Sequence, residues 1–324
     1  MKILIFVDKL STTPTIDETD TLIEAKSVKK ALKSLGHIVY IKQFELNKEK
    51  ILKTIDTISP NLIFNLVETL YGSDTLHLAP LLFEKLGIKY TGGNSNSLYL
   101  TGNKTYTKHF LKEIQVKTPI SYYTNIGLLN NNLINKPIIL KPKSEEASCS
   151  IDDASVTTFE SKTQLIDYLK RNKEKFVEEY IDGKEFSVSV LNINSKIVVF
   201  PVAKMEFIDF DKNKPKILNY KSKWEENSFE YKHTQRTFNL ETENESLIKQ
   251  IRDISKKCFR RLGSKGYLRI DFRVDENDKP YVIDINMNPC ISEDSGFVAA
   301  AYQSGINYKK LINLIITEAI NEWF

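Results

Sequence analysis

The sequence predicts a mixed α/β protein with more than one domain, and its length and two local patterns support this prediction. The 324 residues exceed the roughly 100 to 200 residues of a single domain. In the first hundred residues, strands and helices alternate one for one, beginning with the apolar strand Ile3–Val7. Beyond about Gly102 this alternation stops and antiparallel strand patterns appear. A parallel sheet is therefore expected first, with mixed α+β structure after it.

The N-terminal part is predicted to be a β-α-β-α-β-α unit. Apolar residues recur at helical spacing from Leu22 to Leu35, and Gly36 follows where a glycine commonly ends a helix. The other predicted elements are a strand over 39–41, a helix over 48–58, a strand over 62–67 and a helix over 76–86. Ligands usually bind beyond the carboxyl ends of such strands, where Glu68, Thr69 and the turn 71–74 lie.

The rest of the chain is predicted to combine antiparallel strands with helices. The strands lie near 120–123, 137–142, 154–159, 176–180, 185–192, 196–199, 203–208, 267–274 and 280–285. The helices cover 103–114, 161–171, 243–262, 295–303 and 307–322. The polar segment 209–242 carries no periodic pattern, and an unstructured stretch of this length in a compact protein is typical of a functional lid.

Composition and charge exclude several classes of protein. The excess of 46 basic over 42 acidic residues, 46 − 42 = +4, is too small for a nucleic-acid-binding domain, and no apolar run is long enough for a membrane span. We therefore expect neither nucleic acid nor membrane as a partner. Cys149, Cys258 and Cys290 show no CxxC spacing, which argues against a disulfide framework and favours the cytoplasm. The sequence also lacks the GxGxxG, GxSxG, HExxH and Walker patterns.

The most informative segment is a predicted hairpin, with strands over 266–275 and 280–289. Alternation along the first strand places Arg269, Asp271 and Arg273 on one face, and Asp271 can converge with Asp284 and Asn286 of the second strand. Two carboxylates and an amide oxygen are hard donors of the kind that Mg²⁺ takes when it also holds phosphates. The same alternation is also typical of a solvated strand face, although the apolar neighbours of Asp284 argue against that reading.

Two further segments carry charged residues at strand ends. The apolar strand 138–142 ends with Lys141, and the strand–turn–strand pattern 176–185 contains Glu178, Glu179 and Glu185. Each of these residues alone is typical of a protein surface. The order along the chain, with Lys104 and Lys141 first, then the glutamates and then the Asp…Asp-x-Asn hairpin, makes the set specific.

In these residues the sequence resembles the D-alanine–D-alanine ligase-like branch of the ATP-grasp superfamily, over essentially the whole chain. The resemblance implies an N-terminal Rossmann-like pre-ATP-grasp domain over 1–100. It further implies two α+β subdomains, over 101–177 and 178–324, that clamp ATP between them. The polar segment then becomes a mobile lid over about 209–236.

The resemblance also implies roles for individual residues. The nucleotide would be bound by Lys104, Lys141, Lys223, Glu178, Glu179, Tyr180, Ile181, Glu185 and Asn286. Asp271, Asp284 and Asn286 would hold Mg²⁺ or Mn²⁺, with Asp284 one methylene shorter than the family's usual glutamate. The catalytic and substrate-binding residues would be Arg269, Lys223, Ser295 and Glu68. Main-chain N–H groups near 288–291 would stabilise the oxyanion.

The departures from the family pattern concern the first substrate. The loop after the first strand lacks the family's glycine-rich turn and glutamate, and Glu68 replaces a histidine. Trp224, Ser150 and Cys290 stand where the family has tyrosine, glycine and glycine. Glu68 could pair with a substrate amine, or could only cap the turn that follows it. The nucleotide half of the site therefore fits the family better than the first-substrate half.

The resemblance implies an ATP-dependent carboxylate–amine ligase that works through an acyl phosphate, and the departures from the family pattern favour a different amino acid or small carboxylate as substrate. A genuine D-alanine–D-alanine ligase and a nucleotide-binding regulatory homologue without ligase activity remain alternatives. The lysines of the lid leave open the docking of an acidic or carrier-bound substrate, although a solvated basic lid that simply covers ATP is the plainer explanation. The resemblance also implies a homodimer, although no residue pattern marks an interface.

Overall fold

Three sheets organise the computed structural model, which describes residues 1–68, 72–122, 133–145, 150–240 and 243–321. The first sheet has the order β2-β1-β3 with all strands parallel. Its elements are β1 (Lys2–Asp8), α1 (Ile16–Ser34), β2 (Ile38–Phe44), α2 (Lys48–Ile58), β3 (Leu62–Leu66) and α3 (Leu78–Lys85). The predicted alternation is confirmed, because a central parallel strand covered on both faces is a continuous apolar run, as in Ile3–Val7.

The connection to the next sheet contains one helix that the sequence did not predict. The chain forms α4 (Ser95–Thr101) and then α5 (Lys104–Glu113), which was expected over 103–114. Asn94 caps α4 by accepting a hydrogen bond from the Ser97 N–H at 2.8 Å. A seven-residue helix rich in Ser, Asn and Thr has no apolar stripe, so periodicity could not reveal it. Thr69 and Tyr71 of the predicted ligand-binding loop lie outside the described residues.

The second sheet has the antiparallel order β4-β7-β5-β6. Its elements are β4 (Ser121–Tyr122), β5 (Ile138–Pro142), β6 (Val156–Thr157), α6 (Lys162–Arg171) and β7 (Lys175–Glu179). The strand predicted over 154–159 is therefore limited to two residues. Because β7 pairs with β5 along its whole length, the boundary predicted at 177/178 would divide a strand, and the second sheet extends to Glu179. Residues 123–132 and 146–149 lie outside the described part of the chain.

The third sheet has the order β11-β10-β8-β12-β13, and β9 pairs with β8. Its strands are β8 (Lys184–Ile193), β9 (Lys196–Val199), β10 (Ala203–Phe207), β11 (Thr234–Thr237), β12 (Tyr267–Val274) and β13 (Pro280–Asn286). The helices are α7 (Tyr220–Trp224), α8 (Phe229–His233), α9 (Glu245–Arg261), α10 (Gly296–Gln303) and α11 (Tyr308–Asn321). The expectation of an unstructured segment over 209–242 is wrong, since it contains α7, α8 and β11. Both short helices depend on side-chain caps, Asn219 and Ser228, rather than on an apolar period.

The hydrophobic core joins the first and third sheets and leaves the second sheet with a smaller core of its own. One buried cluster contains Phe6 of β1 together with Val188 and Ile270 of the third sheet. The second-sheet cluster is centred on Leu140 and Leu165. This arrangement places an open cleft between the second and third sheets. No helix among the described residues is long and apolar enough to cross a bilayer.

Gly183 lies in the turn between β7 and β8 and allows that turn to pack closely against Val274 of β12. Its φ is +154°, and a Cβ atom there would lie 2.0 Å from the carbonyl oxygen of Val274. We expect Gly183→Ala to lower the free energy of unfolding by at least about 2 kcal/mol in urea denaturation. The control is Gly263→Ala, where φ is +58° but a Cβ meets nothing within 4 Å, so only about 1 kcal/mol should be lost. Equal losses in the two variants would contradict the proposed close contact.

Candidate active site

A cleft of about 900 Å³, which includes space open to solvent, lies between the second and third sheets. Most of the predicted site residues line it, namely Lys104, Lys141, Glu178, Glu179, Tyr180, Ile181, Glu185, Lys223, Arg269, Asp271 and Asp284. Glu68, Asn286 and Ser295 are not among the lining residues. The structure thus brings eleven of the fourteen predicted residues to one cleft.

Two lysines enter the cleft from α5 and β5 and pair with carboxylates. Asn103 caps α5, which places Lys104 in the first helical turn with its Nζ 2.8 Å from Asp284 Oδ2. Lys141 Nζ lies 2.8 Å from Glu178 Oε2. Burial acts to raise the pKa of Asp284, but Lys104 and Lys141 hold it below its ordinary value. This carboxylate is therefore ionised and surrounded by positive charge.

Lys108 is a member of this charge cluster that sequence reasoning missed. Its fully buried ammonium pairs with Glu178 and donates hydrogen bonds to Thr118 Oγ1 at 2.8 Å and to the Ile283 carbonyl at 3.0 Å. Burial lowers the pKa of Lys108 to about 8, and Glu178 opposes that shift. Its position four residues after Lys104, on the same face of α5, was the available signal. Glu178 therefore anchors two lysines at the wall of the cleft.

The hairpin of β12 and β13 places two carboxylates opposite each other. Asp271 faces Asp284 and Arg269 faces Asn286, with a register shift after Asp271. The Nε and Nη2 atoms of Arg269 donate hydrogen bonds to Asp271 at 3.0 and 2.9 Å. Asn286 Oδ1 accepts a hydrogen bond from the Asn288 N–H at 2.8 Å. Two carboxylates at directly opposed positions on the cleft wall form a hard-oxygen donor set that fits Mg²⁺ or Mn²⁺.

Arg273 of β12 connects the third sheet to the hinge, which we define as the turn 180–183 between β7 and β8. The sequence did not indicate this role. Its Nη1 lies 3.1 Å from Glu185 Oε2, and its Nε donates to the Ile181 carbonyl at 3.0 Å. The guanidinium carbon lies 5.5 Å from the centre of the Tyr180 ring. Burial raises the pKa of Glu185, and Arg273 counters this increase. Alternation had placed Arg273 on the cleft face but could not predict its partners.

Segment 209–236, which the sequence predicts to be a lid, contributes residues to the wall of the cleft. Ile217, Leu218 and Lys223 line the cleft from the lid side. Lys214 pairs with Asp153 of the second-sheet domain at 2.6 Å and with Glu230 at 2.8 Å. These contacts connect the lid, which extends from the third sheet, to the opposite wall of the cleft.

Glu68 and Ser295 do not line the cleft: Glu68 follows β3 at the end of the first sheet, and Ser295 directly precedes α10. The Glu68 N–H donates to Asp8 Oδ2 at 2.7 Å, and Ser295 Oγ caps α10 by accepting from the Val298 N–H at 3.3 Å. Glu24 of α1, which was not predicted as a site residue, is fully buried beside Glu68. It accepts a hydrogen bond from the Ile291 N–H at 2.6 Å. An acidic residue within the apolar stripe of α1 was the sequence signal for Glu24.

Comparisons with known proteins identify the family of the chain. The family model described as D-ala D-ala ligase C-terminus matches residues 128–317. The chain is 30% identical over 299 residues to a D-alanine–D-alanine ligase of Aquifex aeolicus, covering 92% of this chain and 94% of that protein. A D-alanine–D-alanine ligase of Thermotoga petrophila is 28% identical, with 92% of each chain covered.

The fold comparison covers the whole chain. The crystal structure of D-alanine–D-alanine ligase from Bacillus anthracis complexed with ATP matches with a TM-score of 0.75 at 20% identity, covering 100% of this chain and 98% of that one. At this identity the match shows the ATP-grasp fold alone. With the family model and the Aquifex relative, it identifies an ATP-dependent ligase that belongs to the D-alanine–D-alanine ligase family.

Proposed function

We propose that the protein is a carboxylate–amine ligase that uses ATP to form an amide or peptide bond through an acyl phosphate. The main support is that three lysines and two paired carboxylates line the same cleft. The lysines are Lys104, Lys141 and Lys223, and the carboxylates belong to Asp271 and Asp284. The lysines can offset the charge of a polyphosphate, and the carboxylates can hold a divalent cation against it.

Within this proposal, the nucleotide lies across the hinge. The backbone of Glu179 and Ile181 and the side chain of Tyr180 would hold the base, and Glu185 would hold the ribose. Asp271 and Asp284 would bind Mg²⁺ or Mn²⁺, with Asn286 at the edge of the site. Such an ion supplies charge neutralisation and alignment during phosphoryl transfer.

The chain's own groups would then position the reacting atoms. The substrate carboxylate attacks the γ-phosphorus and ADP leaves, and the amine attacks the resulting acyl phosphate and releases phosphate. Arg269 lies on the same wall of the cleft and would stabilise the developing oxyanion. In segment 288–291, the N–H groups of Asn288 and Ile291 are already engaged and Pro289 has none, which leaves that of Cys290 as the donor.

The substrates are proposed from the part of the chain that departs from the family pattern. Ser295 would hold the carboxylate of the second substrate, and Glu68 would pair with the amine of the first. Glu24 and Glu68 place two carboxyl groups close together where the first substrate would bind. We therefore propose an amino acid or small carboxylate other than D-alanine as the first substrate. A genuine D-alanine–D-alanine ligase is equally consistent with the family membership.

The test is ADP release with Mg²⁺, ATP and a panel of amino and carboxylic acids that includes D-alanine, with products identified by mass spectrometry. Acid-dependent ADP release together with a condensed product is the expected result. Nucleotide binding in a thermal shift assay without turnover on any acid would favour the regulatory homologue instead. Turnover restricted to D-alanine would contradict the proposal that the first substrate is not D-alanine.

Glu68→Gln tests the amine contact. We expect the KM of the first substrate to rise at least about tenfold, because a buried charged pair loses one partner, while the KM of ATP stays unchanged. Glu49→Gln, which changes an exposed carboxylate on α2, is the control. An unchanged KM for every substrate would leave Glu68 with only a structural role.

A further inference from the structure

Asp153 joins the second-sheet domain to segment 209–236 with both of its carboxylate oxygens. It begins the 3₁₀ turn 153–155 that directly precedes β6, and it is not among the residues that line the cleft. Its Oδ2 lies 2.6 Å from Lys214 Nζ, and its Oδ1 accepts a hydrogen bond from Asn219 Nδ2 at 3.1 Å. One side chain outside the cleft therefore contacts two residues of the segment that covers it.

Lys214 is also held by residues of its own segment. Its Nζ lies 2.8 Å from Oε1 of the buried Glu230, and 5.9 and 6.0 Å from the ring centres of Phe210 and Phe229. These contacts already restrict the long lysine side chain, so pairing with Asp153 costs little additional conformational entropy. Segment 209–236 therefore presents a positive charge in a fixed place to the second-sheet domain.

The contact with Asn219 links Asp153 to the start of α7. The buried Asn219 side chain caps α7 by accepting a hydrogen bond from the Ser222 N–H at 2.9 Å, and it donates to Asp153 with its other end. The acceptor and the donors of an amide lie on one planar group, so Asp153 fixes the orientation of the cap. The Tyr220 N–H also donates to the Ile151 carbonyl at 3.1 Å. The first turn of α7 is thus attached to the second-sheet domain at two points.

The position of α7 matters because this helix carries Lys223 into the cleft. Five residues are too few to form a stable helix on their own, so its direction depends on its contacts. The third sheet fixes the preceding chain at Lys216, whose carbonyl accepts a hydrogen bond from Arg273 Nη1 at 2.7 Å. Arg273 and Asp153 therefore hold the chain before α7 from opposite sides of the cleft, and together they set the position of Lys223.

We propose that Asp153 is a positioning residue, which aligns α7 so that Lys223 faces the phosphates of the nucleotide. This inference rests on the proposed role of Lys223 in nucleotide binding. Because Asp153 does not line the cleft, it acts through α7 and not on the nucleotide itself. Its side chain is 41% exposed, and ion pairs this exposed contribute little to the stability of a protein. The effect of Asp153 on binding is therefore separable from an effect on folding.

The test is a double-mutant cycle of Asp153→Ala and Lys223→Ala. The affinity of the full-length protein for a non-hydrolysable ATP analogue with Mg²⁺ is measured by calorimetry. Asp153→Ala should weaken binding at least about fivefold when Lys223 is present, and less than about twofold in the Lys223→Ala background. Its Tm should change by no more than about 2 °C. Glu160→Gln, an exposed change just before α6, is the control and should bind like the wild type. Equal weakening in both backgrounds, or none in either, would overturn the proposal.

Fluorescence of Trp224 in α7 separates this inference from the ligase proposal. The chain has two tryptophans, so Trp323→Phe leaves Trp224 as the single reporter. Without nucleotide, Asp153→Ala and Lys214→Met should each raise acrylamide quenching at least about twofold, because α7 is released, while Glu160→Gln should not. Raised quenching in a protein that binds no nucleotide would support the anchoring by Asp153 and contradict the ligase. Nucleotide binding with unchanged quenching in both variants would support the nucleotide site and overturn the role of Asp153.

Discussion

Asp284→Asn is expected to lower kcat at least about a hundredfold while the protein remains folded. Asp284 faces Asp271 across the hairpin and receives Lys104 at 2.8 Å. Asparagine keeps the shape of the side chain but removes the charge that would hold the divalent cation. Metal ions supply several kcal/mol to phosphoryl transfer, and each 1.4 kcal/mol is about tenfold in rate. The measurement is steady-state ADP release at saturating ATP over a range of Mg²⁺ concentrations.

The matched control is Glu276→Gln, which removes an exposed carboxylate from the turn of the same hairpin. It should retain normal turnover and the normal Mg²⁺ dependence. The Asp284 variant should also require more Mg²⁺ for half-maximal activity. Turnover of Asp284→Asn at the wild-type rate would show that the cation is held elsewhere, and the opposed carboxylates would then be a structural pair.

Glu178→Gln is expected to lower the free energy of unfolding by about 3 to 5 kcal/mol, because removing one member of a buried ion pair leaves the other charge uncompensated. Two buried or nearly buried lysines, Lys108 and Lys141, lose their shared carboxylate in this variant. Lys108 keeps only neutral acceptors, among them Thr118 Oγ1. Urea denaturation at neutral pH measures the loss, and ATP affinity should fall as well because Lys141 is no longer positioned.

Glu174→Gln, an exposed change just before β7, serves as the control and should shift stability by less than about 0.5 kcal/mol. Adding Lys108→Met to Glu178→Gln should recover part of the lost stability, since the unpaired buried ammonium is then removed. If Glu178→Gln matches the control, water must solvate the two lysines, contrary to their burial.

The residues that line the cleft could be predicted because they follow local patterns. Lys141 ends an apolar strand, and the glutamates at 178 and 185 flank a strand–turn–strand pattern. The hairpin placed Asp271 and Asp284 together, since period-2 alternation and a tight turn define its register. The resemblance to a known family then supplied the roles that alternation alone left open between a binding site and a solvated face.

The residues that were missed depend on contacts between distant segments. Glu24 meets Ile291 across 267 positions of sequence, and Lys108 meets Ile283 across 175. Arg273 was assigned to the correct face, but its contact with the Ile181 carbonyl required the packing of the hinge against the third sheet. Side-chain chemistry without a periodic or motif signal gives no indication of such partners.

By itself, the sequence determined the alternating N-terminal unit, the antiparallel strands and the set of charged residues along the cleft. Apolar periodicity and turn residues act over a few positions, so they can be read directly from the chain. Only the tertiary structure decided the order of the elements within segment 209–236, the lysine pair around Glu178 and the burial of Glu24 beside Ile291. These features arise because buried charged groups must find partners on segments that are distant in the sequence, and the chain's order does not record which partners they find.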